Sequence, residues 1–323
     1  MAATLGELGE AAVLRRIFPR LPDAGLALLG PGDDAAVLAA PDGRYVVTTD
    51  TMVHGPDFRL AWSSPYDLGW KAAATNLSDV AAMGARPTAL VVALVAPADT
   101  EAAFLERLAD GLREACAALA PGCGVVGGDL SVSATLVLAV TAFGDLEGRD
   151  AVRRSGARPG DIVAVSGPLG LAAEGLALLF SEGVDAAGEP DAARMPALRA
   201  SYSGPIEAQL RPRPPLADGI AAAEAGATAM LDLSDGLAID ARRVADAGGV
   251  AIDLDSAAVG SPLALTGGED HSLLAAFPAG VALPGGFRPV GVVREGSGLY
   301  VDGRAFDERG GWDPYADWDG AAG

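Results

Sequence analysis

Trp70-Lys71-Ala72-Ala73-Ala74-Thr75-Asn76-Leu77-Ser78-Asp79-Val80-Ala81-Ala82-Met83-Gly84 is an alanine-rich run without proline. Just upstream, Ser64-Pro65 supplies an N-cap and a first-turn proline, which predicts one helix from Ser64 to about Met83, stopped at Gly84. Working outward, 88–95 reads as a strand, 101–119 as a helix charged on one face, and 125–126 and 135–143 as strands. Towards the N-terminus, 4–18 has helical spacing ended by Pro19, and 35–39 with 45–49 reads as a hairpin about Pro41-Asp42-Gly43. Towards the C-terminus come a strand (162–166), a helix (171–180) and a polar loop (181–196). A helix (216–225), a strand (229–233), a helix (237–247) and a strand (250–254) follow, with two more strands after Phe287. Both halves mix strands and helices, so the class is α/β (α+β). The stretch 144–161, dense in Gly, Arg and Asp, marks a boundary between domains 1–150 and 151–323.

The chain has 323 residues, 43 acidic against 23 basic, for a net charge of −20. That balance repels nucleic-acid backbones and anionic membrane surfaces, so neither is expected as a partner. No apolar run approaches a membrane span, and Glu7 and Glu10 stand where a signal peptide would be basic and apolar, which predicts a cytoplasmic protein. Two cysteines, Cys116 and Cys123, make no disulfide framework. Lys71 is the only lysine, Asn76 the only asparagine, and His54 and His271 the only histidines. One lysine inside a helix excludes a Walker A loop, and two scattered histidines disfavour a nucleophilic triad. Gly167-Pro168-Leu169-Gly170 reads as a tight strand-to-helix turn.

What remains is a series of aspartates beside apolar strands or in glycine turns. They are Gly32-Asp33-Asp34, Thr48-Thr49-Asp50-Thr51, Asn76-Leu77-Ser78-Asp79, Gly127-Gly128-Asp129 and Asp232-Leu233-Ser234-Asp235-Gly236. Any one alone is ordinary turn chemistry. Five together suit a hard cation such as Mg²⁺, which takes carboxylate and hydroxyl oxygens and carries phosphates with it. Asp67 and Lys71 are four apart, which reads either as a surface-type ion pair or as Lys71 facing the same acidic site as Asn76 and Asp79.

In order along nearly the whole chain, these segments resemble the thiamine-monophosphate kinases, within the superfamily of aminoimidazole ribonucleotide synthetase and selenophosphate synthetase. The specific strings are 76–85 and 232–237. Gly6-Glu7, Gly127-Gly128-Asp129, Arg154-Ser155-Gly156-Ala157-Arg158-Pro159-Gly160-Asp161 and Gly267-Gly268-Glu269-Asp270 agree with them. The resemblance implies a two-domain aminoimidazole ribonucleotide synthetase-like fold, with a homodimer formed through the N-terminal sheets. It implies ATP-dependent phosphorylation of thiamine monophosphate to thiamine diphosphate with several Mg²⁺ ions. Asp34, Thr48, Thr49, Asp50, Asp79, Asp129, Asp232 and Asp235 are its implied metal ligands, with Asp50, Asp129 and Asp235 at the chemistry. Gly128, Asp129, Arg154 and Ser234 are implied at the nucleotide, and Asp57, Glu269 and Trp312 at the thiamine moiety.

Two positions depart from the family pattern: Asp57 stands for its histidine, and His271 for its usual tyrosine. Two other readings compete. One is a different ATP-using enzyme of the superfamily; the other is a non-catalytic binder of nucleotide or thiamine phosphate. The first cysteine, Cys116, is far from the N-terminal glycines, against the pattern of selenophosphate synthetase. The chemistry suits the residues, because a phosphate monoester is largely a dianion at neutral pH. It needs alignment and charge neutralisation more than a base, so direct in-line transfer without a phosphoenzyme is expected.

Overall fold

The computed structural model describes residues 3–30 and 35–311. Two short helices, α1 (Leu5–Leu8) and α2 (Glu10–Ile17), lead to a ribbon of β1 (Ala27–Leu29) and β2 (Val37–Leu38). Then come β3 (Val46–Val53), α3 (Pro65–Ala82), β4 (Arg86–Ala96), α4 (Ala102–Leu119), β5 (Gly124–Val132) and β6 (Val137–Asp145). They form a four-stranded sheet in the order β3-β6-β4-β5, with α3 and α4 against one face.

The second half runs β7 (Ile162–Ser166), α5 (Leu171–Glu182), α6 (Met195–Ser201), α7 (Ser203–Leu210), α8 (Leu216–Glu224) and β8 (Ala229–Leu233). It continues with α9 (Leu237–Gly248), β9 (Ala251–Leu254), α10 (Ser256–Val259), α11 (Pro262–Thr266) and β10 (Ser272–Phe277). It closes with β11 (Arg288–Arg294), β12 (Gly298–Val301) and β13 (Arg304–Ala305). Its sheet has seven strands, β13-β12-β9-β11-β7-β10-β8, antiparallel except where β12 pairs with β9.

Helix α3 is central. Ser64 caps it reciprocally with Asp67, the hydroxyl accepting from the Asp67 N–H and the Asp67 carboxylate from the Ser64 N–H. Fifteen of its 18 residues are buried, as a helix covered on every side requires. α4 crosses it at reciprocal glycines: a Cβ on Gly69 would lie 2.0 Å from the Leu108 carbonyl oxygen, and one on Gly111 2.1 Å from that of Tyr66. On its other side α3 meets α8, β8 and β10 of the second half. It therefore holds both sheets in fixed relation.

Several expectations are corrected. The first helix is broken at Gly9, whose φ of 72° suits glycine, giving α1 and α2. The expected hairpin is absent: β2 pairs with β1, and β3 pairs residue for residue with β6, some ninety positions away. Gly128 and Asp129 lie inside β5, paired with Val92 and Ala93, rather than in a turn. The loop expected over 181–196 ends in the start of α6, and β10 was not foreseen.

Candidate active site

Two hollows lie along α3, one at Lys71 and the other at its C-terminal end. One, about 330 Å³, has aromatic walls of Phe58, Trp62 and Phe180 and a polar end of Asp57, Lys71 and Glu269. Trp62 and Phe180 meet edge to face at 4.9 Å, and the Arg59 guanidinium lies 5.2 Å and 5.0 Å from their centroids. The Trp62 indole N–H donates to the Gly183 carbonyl at 2.7 Å, fixing that wall. Asp57 lies at the exposed rim, and its carboxylate accepts from the Val53 N–H at 2.6 Å.

Lys71 is buried and ion-paired with Glu269. The Gln209 amide, oriented to satisfy both ends, accepts from the Lys71 ammonium at 3.3 Å and donates to the Ala172 carbonyl at 3.1 Å. The Asp67–Lys71 pair is absent: Asp67 is taken by Arg199 at 2.5 Å and Arg211 at 3.1 Å, which leaves Lys71 for the pocket. Burial works to raise the Glu269 carboxyl, but Lys71 and His271 override it and hold it below its ordinary range.

The other hollow, about 710 Å³, is lined by Thr48, Asp79, Asp232 and Arg154, with Tyr45 and Met83 among its apolar walls. The Thr48 hydroxyl donates to Asp79 at 2.8 Å, and the Asn76 amide oxygen accepts from the Asp50 N–H at 3.1 Å. Burial first, then the charges of Asp232 and Asp50, push Asp79 up to about 7. Asp50 is raised as well, by burial and by Asp232, Glu269 and Asp235. Carboxyls this crowded repel one another until a cation or proton comes between them. Arg154, exposed on a 3₁₀ turn at Arg154–Gly156, brings positive charge to the rim.

Asp235 is turned towards Arg243 at 2.6 Å; its N–H donates to Asp240 at 3.2 Å, and burial pushes Asp240 up to about 7. The side chain of Ser234 makes no hydrogen bond among the described residues, and its carbonyl accepts from the Glu269 N–H at 2.8 Å. Beyond it, residues 268–271 run along α3 from Lys71 to Ser78, whose hydroxyl donates to the His271 carbonyl at 3.3 Å. Glu269 and His271 hold φ of 71° and 49° there, a left-handed conformation costing of order 1 kcal/mol each and typical of functional sites.

Thr48, Asp50, Asp79, Asp232, Asp235 and Glu269 thus share one electrostatic neighbourhood. Thr49 and Asp129 lie apart from it. Thr49 points to the opposite face of β3, donating to the Val140 carbonyl at 2.9 Å and accepting from Thr141 at 3.2 Å. Asp129 and Gly128 are exposed on β5, the far outer strand, about 14 Å from β3 at ordinary strand spacing. Asp34 and Trp312 lie outside the described residues. Gly311, just before Trp312, packs so closely on the Asp235 loop that a Cβ would sit 2.4 Å from the Asp235 carbonyl oxygen.

Among the described residues no three acidic, histidine or cysteine side chains form a ready-made metal site. The donor chemistry nevertheless fits Mg²⁺: hard oxygens only, with the charges of Asp232 and Asp50 bearing on Asp79. Sequence reasoning did not find the aromatic walls, the partner of Lys71, or the contact of His271 Nδ1 with Asp232 at 3.3 Å. The scarcity of aromatics, 5% of the chain, was the available signal for Trp62 and Phe180.

Fold and site together define a class, the AIR synthase related proteins: models of that family's N-terminal and C-terminal domains match 32–146 and 158–283. A thiamine-monophosphate kinase of Mycobacterium tuberculosis is 43% identical over 334 residues, covering 98% of this chain and 94% of that protein. That of Corynebacterium glutamicum is 40% identical, covering 90% and 87%. The chain belongs to the thiamine-monophosphate kinase family. Among solved structures, thiamine-monophosphate kinase from Stenotrophomonas maltophilia has a TM-score of 0.77 at 33% identity, covering 93% of this chain and 98% of that one. AaThiL complexed with AMPPCP and TMP has a TM-score of 0.73 at 32% identity, covering 96% and 98%.

Proposed function

We propose that this protein transfers the γ-phosphoryl group of ATP directly to the phosphate of thiamine monophosphate, giving thiamine diphosphate. One observation carries the reading. Lys71 and Asp79 stand eight residues apart on α3, about 12 Å along its axis, one in an aromatic pocket and the other in an aspartate cleft. A ring-bearing phosphate in the first and a nucleotide in the second would meet end to end over residues 268–271. The near full-length likeness to thiamine-monophosphate kinases supports these two ligands.

Phe58, Trp62 and Phe180 offer faces and edges to an aromatic ring, while Asp57 and Glu269 offer charge to a cationic one. Arg154 would meet phosphate oxygens, with Ser234 beside the nucleotide. Thr48, Asp50, Asp79 and Asp232 would hold Mg²⁺, with Asp235 joining if Arg243 releases it. When bound, Mg²⁺ supplies the neutralisation that lets two phosphates approach. The acceptor dianion needs no base, which leaves the carboxylates of the cleft free to hold cations.

Asp129, Gly128 and Thr49 fit this reading only through a second copy of the chain. Val47, Thr49 and Thr51 expose the sheet face away from α3, and we read that face as the homodimer surface that brings the partner's β5 to the cleft. On this reading 1–150 supplies metal ligands and dimer contacts, and 151–323 completes the substrate pockets. No described helix is long and apolar enough to cross a membrane; a cytoplasmic location is our inference from the substrates. The test is a steady-state assay with ATP, Mg²⁺ and thiamine monophosphate, thiamine or aminoimidazole precursors as acceptors. Thiamine diphosphate from thiamine monophosphate alone is expected. ATP binding with no product from any acceptor would favour a non-catalytic binder.

A further inference from the structure

The aromatic pocket runs along one side of α5, which lines it with Ala173, Leu176 and Phe180. At the start of that helix Gln209 joins the Ala172 carbonyl to the Lys71 ammonium, which is paired with Glu269. Just past its last turn the Trp62 indole N–H reaches the Gly183 carbonyl. Ala172 and Phe180 are eight residues apart, about 12 Å at helical rise, so the polar and aromatic ends are distinct places. Arg59 belongs to the aromatic end, where its guanidinium lies 5.2 Å from the Trp62 centroid and 5.0 Å from that of Phe180. Its carbonyl accepts from the N–H groups of Trp62 at 3.1 Å and Ser63 at 2.9 Å, which fixes the backbone that carries it. Arg149, Arg199 and Arg211 are half-buried, as Arg59 is, and each has a carboxylate partner. Arg59 has none among the described residues, although the chain carries 43 acidic residues against 23 basic. Two aromatic rings hold it instead, and its five N–H donors are left for a ligand.

We propose that Arg59 is a specificity-determining residue of this pocket: it takes the uncharged aminopyrimidine ring of the substrate at the aromatic end and turns the cationic thiazolium ring away from it. This rests on the phosphoryl-transfer reading above, which puts the substrate phosphate over residues 268–271. The thiazolium ring then lies by Glu269, and the aminopyrimidine, one ring further from the phosphate, comes to Trp62, Phe180 and Arg59. A fixed guanidinium repels a cationic ring, whereas a neutral pyrimidine stacks on it and accepts from its N–H groups through a ring nitrogen. The two ends of the pocket thus fix the direction in which the substrate lies.

Calorimetric titration with AMPPCP and Mg²⁺ present reads the contact without turnover. Two probes are compared: thiamine monophosphate, and its truncated analogue in which a methyl group replaces the pyrimidinylmethyl group, keeping the cationic ring and the phosphate. Arg59→Met keeps the length of the side chain and removes its charge and donors. It should raise Kd for thiamine monophosphate about tenfold and leave Kd for the truncated probe unchanged. Arg59→Lys keeps the charge without the planar fork and should not restore the loss. Both variants should melt within a few degrees of the wild type. An equal rise in Kd for both probes, an unchanged or lower Kd for thiamine monophosphate in Arg59→Met, or wild-type affinity in Arg59→Lys would overturn the proposal. Binding to the wild type without formation of thiamine diphosphate from ATP would count against the proposed reaction instead, and the comparison of probes would still decide the role of Arg59. No binding of thiamine monophosphate to the wild type would overturn both.

Discussion

Asp67 and Lys71 stand one turn apart on α3 and take different partners, Asp67 the arginines of the second half and Lys71 the Glu269 carboxylate. That choice gives the aromatic pocket its charge. Glu269→Ala should raise KM for thiamine monophosphate ten- to hundredfold, on the order of 1.5–3 kcal/mol for a hydrogen bond to a charged group, with KM for ATP unchanged. Lys71→Met strands Glu269, which is 38% exposed, so water softens the loss; about 1–2 kcal/mol in urea unfolding is expected. Asp50→Ala should abolish turnover with Tm within a few degrees of wild type, and retained activity would refute its place among the metal ligands. The rarity of lysine, asparagine and histidine singled out Lys71, Asn76 and His271 before any fold was known. Their partners were illegible, because an ion pair between residues 71 and 269 leaves no local pattern.

At the scale of elements, α3 was legible end to end because its signals are local: a capping serine, a first-turn proline, an alanine run and a terminal glycine. Ser64→Ala should cost about 1 kcal/mol of stability, read by chemical denaturation. The glycine crossing with α4 is stricter, since backbone lies within 2.1 Å of where a side chain would begin. Gly111→Val should therefore destabilise by about 3 kcal/mol or more, and a variant of wild-type stability would mean the helices part easily. β2 and β3 misled because Pro41-Asp42-Gly43 is good hairpin chemistry. The ladder that β6 offers β3 over eight residues outweighs the two-residue strand β2. Gly127-Gly128-Asp129 misled in the same way: Gly128 accommodates the close neighbour strand, where a Cβ would meet the Val92 carbonyl oxygen at 2.0 Å.

At the scale of the molecule, the aspartate set read from the sequence does not gather in one place. Asp50, Asp79 and Asp232 gather in the cleft, while Asp129 stands on the far strand. A chain pattern lists such residues without saying which copy delivers them, so this division was beyond sequence reasoning. If the partner's Asp129 completes each cleft, mixing inactive Asp50→Ala and Asp129→Ala chains should restore about a quarter of wild-type sites. Mixtures as inactive as their components would place both aspartates in one chain's site. The net charge of −20 is consistent with phosphate ligands once the carboxylates of the cleft hold cations. The most direct measurement is a single-turnover reaction with γ-labelled ATP, Mg²⁺ and thiamine monophosphate. Direct transfer predicts one equivalent of label in thiamine diphosphate and none on the protein at any time. Label on the protein, or released only as inorganic phosphate, would contradict it.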